Sequence, residues 1–372
     1  MKNVCTIKMG QSPVSSSYNE NEEGLPFFQG NADFGKRYPI ARVWCDSPIK
    51  KAYRDDILIS VRAPIGAVNY VNEDCCIGRG LAAITPDRNK VSLEYIYWFL
   101  KGKEQELVNK GTGSTFKAIS RKVLEEIMLP YIGTDEQNGR AEILEKIDRI
   151  IEKKERELSY MDDLIQARFV EMFGDPVSNP YGLPEATLPE LGEFGRGVSK
   201  HRPRNDPELL GGDYPLIQTG DIANAGLYIT CYDSTYSELG LKQSKLWNKG
   251  TLCITIAANI AKTAILEFDA CFPDSVVGFM ANEKTNNIFI HYWFSFFQAI
   301  LESQAPESAQ KNINLKILSE LKVIVPDKLK QDEFVEVVKQ VNKSKLALHS
   351  LLTFLTLYEL HILSNNLTFE KF

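Results

Sequence analysis

The chain repeats itself, and that constrains everything else. Shifted by about 190 residues, its second half meets its first in the same order. Leu25-Pro26-Phe27-Phe28-Gln29-Gly30 meets Tyr214-Pro215-Leu216-Ile217-Gln218-Thr219. Asp56 to Val61 meets Gly250 to Ile256, and Tyr95 to Leu100 meets His291 to Phe296. Ala118-Ile119-Ser120 meets Asn312-Ile313-Asn314. Each half then runs through an apolar stretch to a proline, Pro130 or Pro326, a glutamine, Gln137 or Gln331, and a long helical pattern. No single match is specific, but the shared order requires a duplicated unit with a helix appended to each copy.

Within each copy, short runs rich in Ile, Val, Tyr and Phe are cut by Gly, Pro, Asn and Asp, the pattern of strands and turns. Val91 to Asn109 and Asn287 to Glu302 carry apolar residues at three and four spacing and read as helices. The long helices are clearer. Leu144, Ile147, Ile151, Lys154, Leu158, Met161, Ile165, Arg168 and Met172 form one heptad seam. Val337, Val341, Ser344, Leu348, Leu351, Leu355, Tyr358 and Ile362 form another. A stripe so narrow does not stabilise a lone helix, so the two are expected to pack on each other, antiparallel, with a unit at each end. The expected class is α+β: two similar mixed α/β domains separated by two long antiparallel coiled-coil helices. A helix from Gln137 to Phe173 spans about 55 Å at 1.5 Å per residue, more than the ~34–36 Å between half-sites one DNA turn apart.

The net charge of −6 argues against a nucleic-acid binder. Its distribution softens the objection, because Asp135 to Asp175 alone carries twelve acids against seven bases. Seven cysteines without a CxxC pair read as reduced, buried thiols of a cytoplasmic protein. No apolar run nears the ~20 residues of a membrane span, and Met1 to Gly10 lacks the apolar core of a signal peptide. Catalytic motifs are missing as well. There is no GxxxxGK[ST] loop, no GxGxxG after a strand and no metal spacing among His201, His291, His349 and His361. Asn179-Pro180-Tyr181 lacks the second proline of an adenine-methyltransferase loop. No catalytic residue and no metal ligand is expected.

What remains is polar and turn-rich. Gln11, Ser12, Gln29 and Asn31 lie on loops beside aromatic anchors; Gln and Asn can bond adenine edges in two-pronged fashion. A loop whose polar groups satisfy its own backbone is the competing reading. Basic residues gather at Arg196, Lys200, His201, Arg202 and Arg204, at Lys36, Arg37 and Arg42, and at Lys50, Lys51 and Arg54. Arg62, Arg79, Lys117, Arg121 and Lys122 are scattered in the first half, and Lys262, Lys311 and Lys316 in the second.

Gly10-Gln11-Ser12-Pro13, Tyr18-Asn19 and Pro26-Phe27-Phe28-Gln29-Gly30 resemble the opening of target-recognition domains in type I restriction-modification specificity subunits. So do Arg62-Ala63-Pro64-Ile65-Gly66, Gly78-Arg79-Gly80, and Gln166-Ala167-Arg168-Phe169 through Met172-Phe173-Gly174-Asp175-Pro176, which is similar to the family's first spacer. The resemblance implies target-recognition domains at 1–133 and 176–328 and spacer helices at 134–175 and 329–372. It implies a non-catalytic subunit that reads an asymmetric, split target on double-stranded DNA. Two methyltransferase subunits and restriction or motor subunits are the implied partners. They would bring S-adenosylmethionine, ATP and Mg²⁺, and this chain would hold no cofactor. The positions expected to touch DNA are Gln11, Ser12, Gln29, Asn31, Arg62, Arg79 and Lys117 in the first half. In the second they are Lys200, Arg202, Arg204, Gln218, Lys262, Lys311 and Asn312. The halves differ where they match: Gly197-Val198-Ser199-Lys200 stands for Gly10-Gln11-Ser12-Pro13, and Ala257-Ala258-Asn259 stands near Arg62-Ala63-Pro64. The alternative is a coiled-coil scaffold with two protein-binding domains and no DNA readout.

Overall fold

A computed structural model of the chain describes residues 1–113, 117–130, 132–257, 260–304 and 313–365. Its principal helices are α1 (Leu93–Lys101), α2 (Thr134–Phe173), α3 (Asn287–Gln304) and α4 (Lys328–Ser364). The chain divides into two compact units. Unit 1 holds Met1–Arg156 and the chain from Leu348 on; unit 2 holds Glu157–Ala347. Each unit therefore takes part of both long helices, and the fold is α+β, as the duplicated pattern predicts.

Unit 1 has six principal strands: β1 (Cys5–Met9), β2 (Leu25–Phe28), β3 (Ile57–Ser60), β4 (Val68–Tyr70), β5 (Cys75–Ile77) and β6 (Leu81–Pro86). One antiparallel sheet runs β1-β6-β3-β4, and in the other β2 lies parallel to β5. The first sheet packs Ile57, Ile59 and Ile84 against Ile96, Trp98 and Phe99 of α1. Leu144 and Ile147 of α2 and Ile362 and Leu363 of α4 close the same core. The expected helix Val91 to Asn109 is two: α1 stops at Gly102 and a short helix, Glu104–Lys110, follows. The end of α4 crosses there so closely that a Cβ on Gly102 would lie 2.8 Å from the Leu363 carbonyl oxygen.

Unit 2 repeats the plan with β7 (Gly192–Arg196), β8 (Leu210–Leu216), β9 (Leu252–Thr255), β10 (Thr263–Leu266), β11 (Ala270–Cys271) and β12 (Val276–Ala281). The order β7-β12-β9-β10 restates β1-β6-β3-β4, and β8 pairs parallel with β11 as β2 does with β5. Phe289 and Trp293 of α3 meet Ile165, Phe169 and Phe173 of α2 and Phe334 and Val338 of α4 in its core. Within this unit the long helices run antiparallel: Asp162 pairs with Lys345 at 2.5 Å, while Phe169 meets Phe334 at 5.4 Å between centroids.

The seam of α2 is the expected one, each of its positions buried or half-buried. That of α4 is corrected in two places. Ser344 and Leu351 are exposed, and Lys345 and Leu352 turn inward instead. One 18-residue window of α4 matches a membrane span in length and composition. The reason is that α4 is apolar on two faces. Tyr358 and Ile362 pack in unit 1 and Leu348 is buried, whereas Leu351, Phe354, Leu357 and Leu360 are exposed.

Capping bonds fix how the copies correspond. Ser92 Oγ accepts Tyr95 N at 3.2 Å, and Asn286 Oδ1 accepts Phe289 N at 2.7 Å. His291 thus stands opposite Tyr97, two residues from the match with Tyr95 that sequence alone gives. The side chain decides that register, because the apolar residues of both helices tolerate either.

Candidate nucleic-acid interface

In unit 1 the loop after β1, the loop after β2, the β3–β4 hairpin and the β5–β6 turn converge on one cleft of about 160 Å³. It is lined by Ser12, Gln29, Gly30, Asn31, Ser60, Arg62, Ala63, Arg79 and Gly80. Five of the seven residues expected to touch DNA here line it together. The wall is built by local bonds. Asp33 Oδ2 accepts Gln29 N at 2.7 Å and fixes the backbone that presents Gln29 and Asn31. Ser12 Oγ accepts Arg79 N at 3.3 Å. Ser60 Oγ donates to the carbonyls of Arg62 and Pro64 at 2.8 and 2.6 Å. Both arginines are exposed and line the cleft. Lys117 is exposed beside Arg62, through a bridge between Arg62 and Ala118. Gln11 is exposed outside the lining, its N–H bonded to the Ile77 carbonyl at 3.0 Å.

The corresponding cleft in unit 2, about 270 Å³, is lined by Ser199, Arg204, Asn205, Gln218 and Thr219, with Ser234, Tyr236 and Ser275 among its other walls. Asp221 Oδ2 accepts Gln218 N at 2.7 Å, repeating Asp33 and Gln29. The glycine of each Gly-x-Ser run has a steric role. A Cβ on Gly10 would lie 2.1 Å from the Gly78 carbonyl oxygen, and one on Gly197 2.3 Å from that of Pro273. Only glycine lets the chain cross the turn there and deliver Ser12 or Ser199 to the cleft. The carboxylates and Ser199 were not singled out from sequence. Their signal is an acid three or four residues after a glutamine, the reciprocal arrangement of a capping box.

Other expected positions are dispersed. Lys200 is exposed, with its N–H on Gln243 Oε1 at 2.7 Å. Arg202 Nη1 is committed to the carbonyls of Ser199 and His201 at 2.7 and 2.8 Å. Lys262 lines a separate hollow with His291, Asp162 and Asn342. Lys311 and Asn312 lie outside the described residues. The Lys36–Arg37 cluster faces the acidic side of α2: Arg37 pairs with Glu145 at 2.8 Å and Asp148 at 2.9 Å, and Lys36 with Glu155 at 3.1 Å. Six cysteines are buried, and burial pushes Cys75 and Cys76 up to about 12, so they stay thiols; Cys231 is exposed. Among the described residues no three His, Cys, Asp or Glu are grouped to hold a metal ion.

Two copies of an α+β unit, each with a polar cleft walled by loops at one sheet end and each fastened to the same two helices, define a duplicated recognition module. The chain belongs to the family of the type I restriction modification DNA specificity domain, whose model matches residues 1–159 and again 185–352. It is similar to the candidate type I restriction enzyme MjaX specificity subunit of Methanocaldococcus jannaschii, 45% identical over 151 residues, 41% of this chain and 36% of that protein. It also resembles the MjaIX specificity subunit of the same organism, 31% identical over 121 residues, 32% of this chain and 28% of that one. The chain thus spans about a third of the length of these two relatives. The Escherichia coli EcoBI specificity subunit is 22% identical over 385 residues, 92% of this chain and 78% of that protein. Among solved structures, the type I restriction-modification S subunit from M. genitalium superposes with a TM-score of 0.59 at 17% identity, over 100% of this chain and 95% of that one. A chain from a study of complex assembly and conformational transition of the type I R-M system gives 0.64 at 15%, over 98% and 96%. These two likenesses bear on fold alone.

Proposed function

We propose that the chain is a DNA-reading, non-catalytic subunit of a type I restriction-modification complex. Each unit reads one half of a split, asymmetric target. The observation that carries this is the duplicated cleft: the same backbone frame, with the same glutamine fixed by the same carboxylate, lined by different donors. Ser12, Gln29, Asn31, Arg62 and Arg79 line one; Ser199, Arg204, Asn205, Gln218 and Thr219 line the other. Equal frames with unequal linings suit a protein whose two halves recognise different bases.

The exposed stripe Leu351, Phe354, Leu357 and Leu360 on α4 supports a docking role. Apolar surface of this kind is favourably covered, and methyltransferase subunits are the occupants we assign. Restriction or motor subunits would join them. S-adenosylmethionine, ATP and Mg²⁺ would belong to these partners, and the complex would act on DNA in the cytoplasm. A net charge of −6 makes DNA binding by the isolated chain weak, so the partners would complete the grip on the duplex.

The test is methylation by the chain assembled with its methyltransferase. One split target is expected to be modified. Exchanging residues 1–133 for those of a relative should change one half of it only; a change in both halves, or in neither, removes the modular reading. A chain that assembles with the methyltransferase but directs no sequence preference would be the scaffold instead.

A further inference from the structure

The two clefts differ most at one turn. Leu81 N donates to the Gly78 carbonyl at 3.0 Å, and Val276 N to that of Pro273 at 3.0 Å. Gly10 N and Gly197 N then donate to the Leu81 and Val276 carbonyls at 2.9 and 2.8 Å. These are the same turn, and in this register Asp274 stands where unit 1 has Arg79. The β3–β4 hairpin corresponds in the same way. Gly66 N bonds the Ser60 carbonyl and Ala261 N that of Thr255, both at 2.9 Å, so Ala257 stands for Arg62. Unit 2 has lost both arginines of the unit 1 cleft and carries an acid in place of one.

Three guanidinium groups converge on that acid. Arg204 Nη2 donates to Asp274 Oδ1, Arg202 Nη2 lies 3.6 Å from Oδ2, and Arg196 Nε donates to the Asp274 carbonyl. They are not equivalent. Arg202 also braces its own loop, and Arg196 is held by backbone. Arg204 lines the cleft, and its Nη1 and Nε have no partner among the described residues. The loop that carries it is fastened at its base, because Gln243 Oε1 accepts both Lys200 N and His201 N, at 2.7 and 3.0 Å. On the same wall Ser199 Oγ is buried without a hydrogen-bond partner among the described residues. An Asp274–Arg204 pair about half exposed on its arginine contributes little to stability. Its effect is orientation.

We infer that Asp274 is a specificity-positioning residue: it holds Arg204 through Nη2 so that the remaining edge, Nη1 with the other Nη2 hydrogen, faces a base with two adjacent acceptors, a guanine. In unit 1 Arg79 presents its own donors from the matching turn, without an intermediary. The inference rests on the reading of the chain as a DNA specificity subunit.

The experiment selects a randomised duplex library with the full chain assembled with its methyltransferase partners. Wild type is expected to enrich a split motif. Asp274→Asn and Arg204→Ala should each lower the preference for one and the same guanine about tenfold, in one half only, and Asp274→Glu should retain it. If wild type enriches a motif that neither variant changes, the inference falls and the reading stands. If both variants weaken both halves evenly, Asp274 is merely structural and the inference falls. If Arg204→Ala instead lowers the salt slope by about 0.9 with the motif unchanged, Arg204 touches a phosphate and the inference falls. A wild-type complex that enriches no motif overturns the reading, and the inference with it.

Discussion

Gln331 makes in unit 2 the bonds that Gln137 makes in unit 1. Gln137 Nε2 donates to the carbonyls of Lys90 and Ile132 at 3.2 and 2.8 Å, and Gln331 Nε2 to those of Lys284 and Pro326 at 3.0 and 2.9 Å. Gln137 Oε1 accepts Ser92 N at 2.9 Å; Gln331 Oε1 accepts the Thr285 hydroxyl at 2.9 Å. Both side chains are fully buried. Each ties the start of a long helix to the segment that leads into α1 or α3.

Replacing either glutamine by alanine takes the partner from two carbonyls and a donor that are buried or half-buried around it. The expected cost is about 1–3 kcal/mol each, measured as a lower urea midpoint. The two share no hydrogen-bond partner, so the double variant should lose the sum. A loss well short of the sum would mean that the two helix starts are coupled.

Arg37 is a second fastening of unit 1. Its guanidinium, 22% exposed, meets Glu145 and Asp148, which are 14% and 17% exposed. Removing it takes the nearer cation from both carboxylates and leaves Glu145 with Arg149 and Asp148 with Lys101, each at 3.6 Å. Arg37→Ala is expected to destabilise by about 1–3 kcal/mol, and less in a Glu145→Gln background. An unchanged penalty in that double-mutant cycle would show that Arg37 acts through packing. The Arg37 carbonyl also accepts Tyr70 N at 2.8 Å, so the loop that begins at Gln29 is anchored at its far end.

His291 gives unit 2 an acid-sensitive stability. Burial pushes its pKa down to about 4, Lys345 adds to this, and Nδ1 lies 2.9 Å from Thr263 Oγ1. The unfolded imidazole takes its proton near pH 6.5, before the folded one does. Between those values the unfolded state binds more protons, so stability is complete above pH 6.5 and falls as pH drops toward 4, by about 2–3 kcal/mol. His291→Asn should remove this component. If the urea midpoints of variant and wild type keep a constant separation from pH 7 to 4, the ring is not responsible.

In the unit 1 cleft, Gln29→Ala and Arg79→Ala should relax base preference in one half of the target by about 1–3 kcal/mol. Lys117→Ala, beside the cleft rather than lining it, should weaken binding evenly and reduce the salt slope by about 0.9. Competition titrations at several salt concentrations separate the two behaviours. An even loss for Gln29→Ala would place Gln29 on the backbone.

The sequence by itself determined the duplication, the α+β class and the two long helices, because each rests on order and periodicity along the chain. The seam of α2 was legible in that way down to single residues. Tertiary structure alone decided what depends on atoms meeting across loops. Leu351 obeys the spacing of a seam on α4 yet faces outward, because α4 is apolar on two faces and spacing does not say which one is covered. Arg37 and Arg79 look alike as loop cations, but carboxylates of α2 meet one and the cleft receives the other. Asp274 has no local signal at all. Its place arises because a turn in one copy brings an acid where the other copy has an arginine, and Arg202 and Arg204 from a distant loop fold onto it. A linear pattern records which side chains share a face of one element; the charge that meets another charge is set by how the elements fold together.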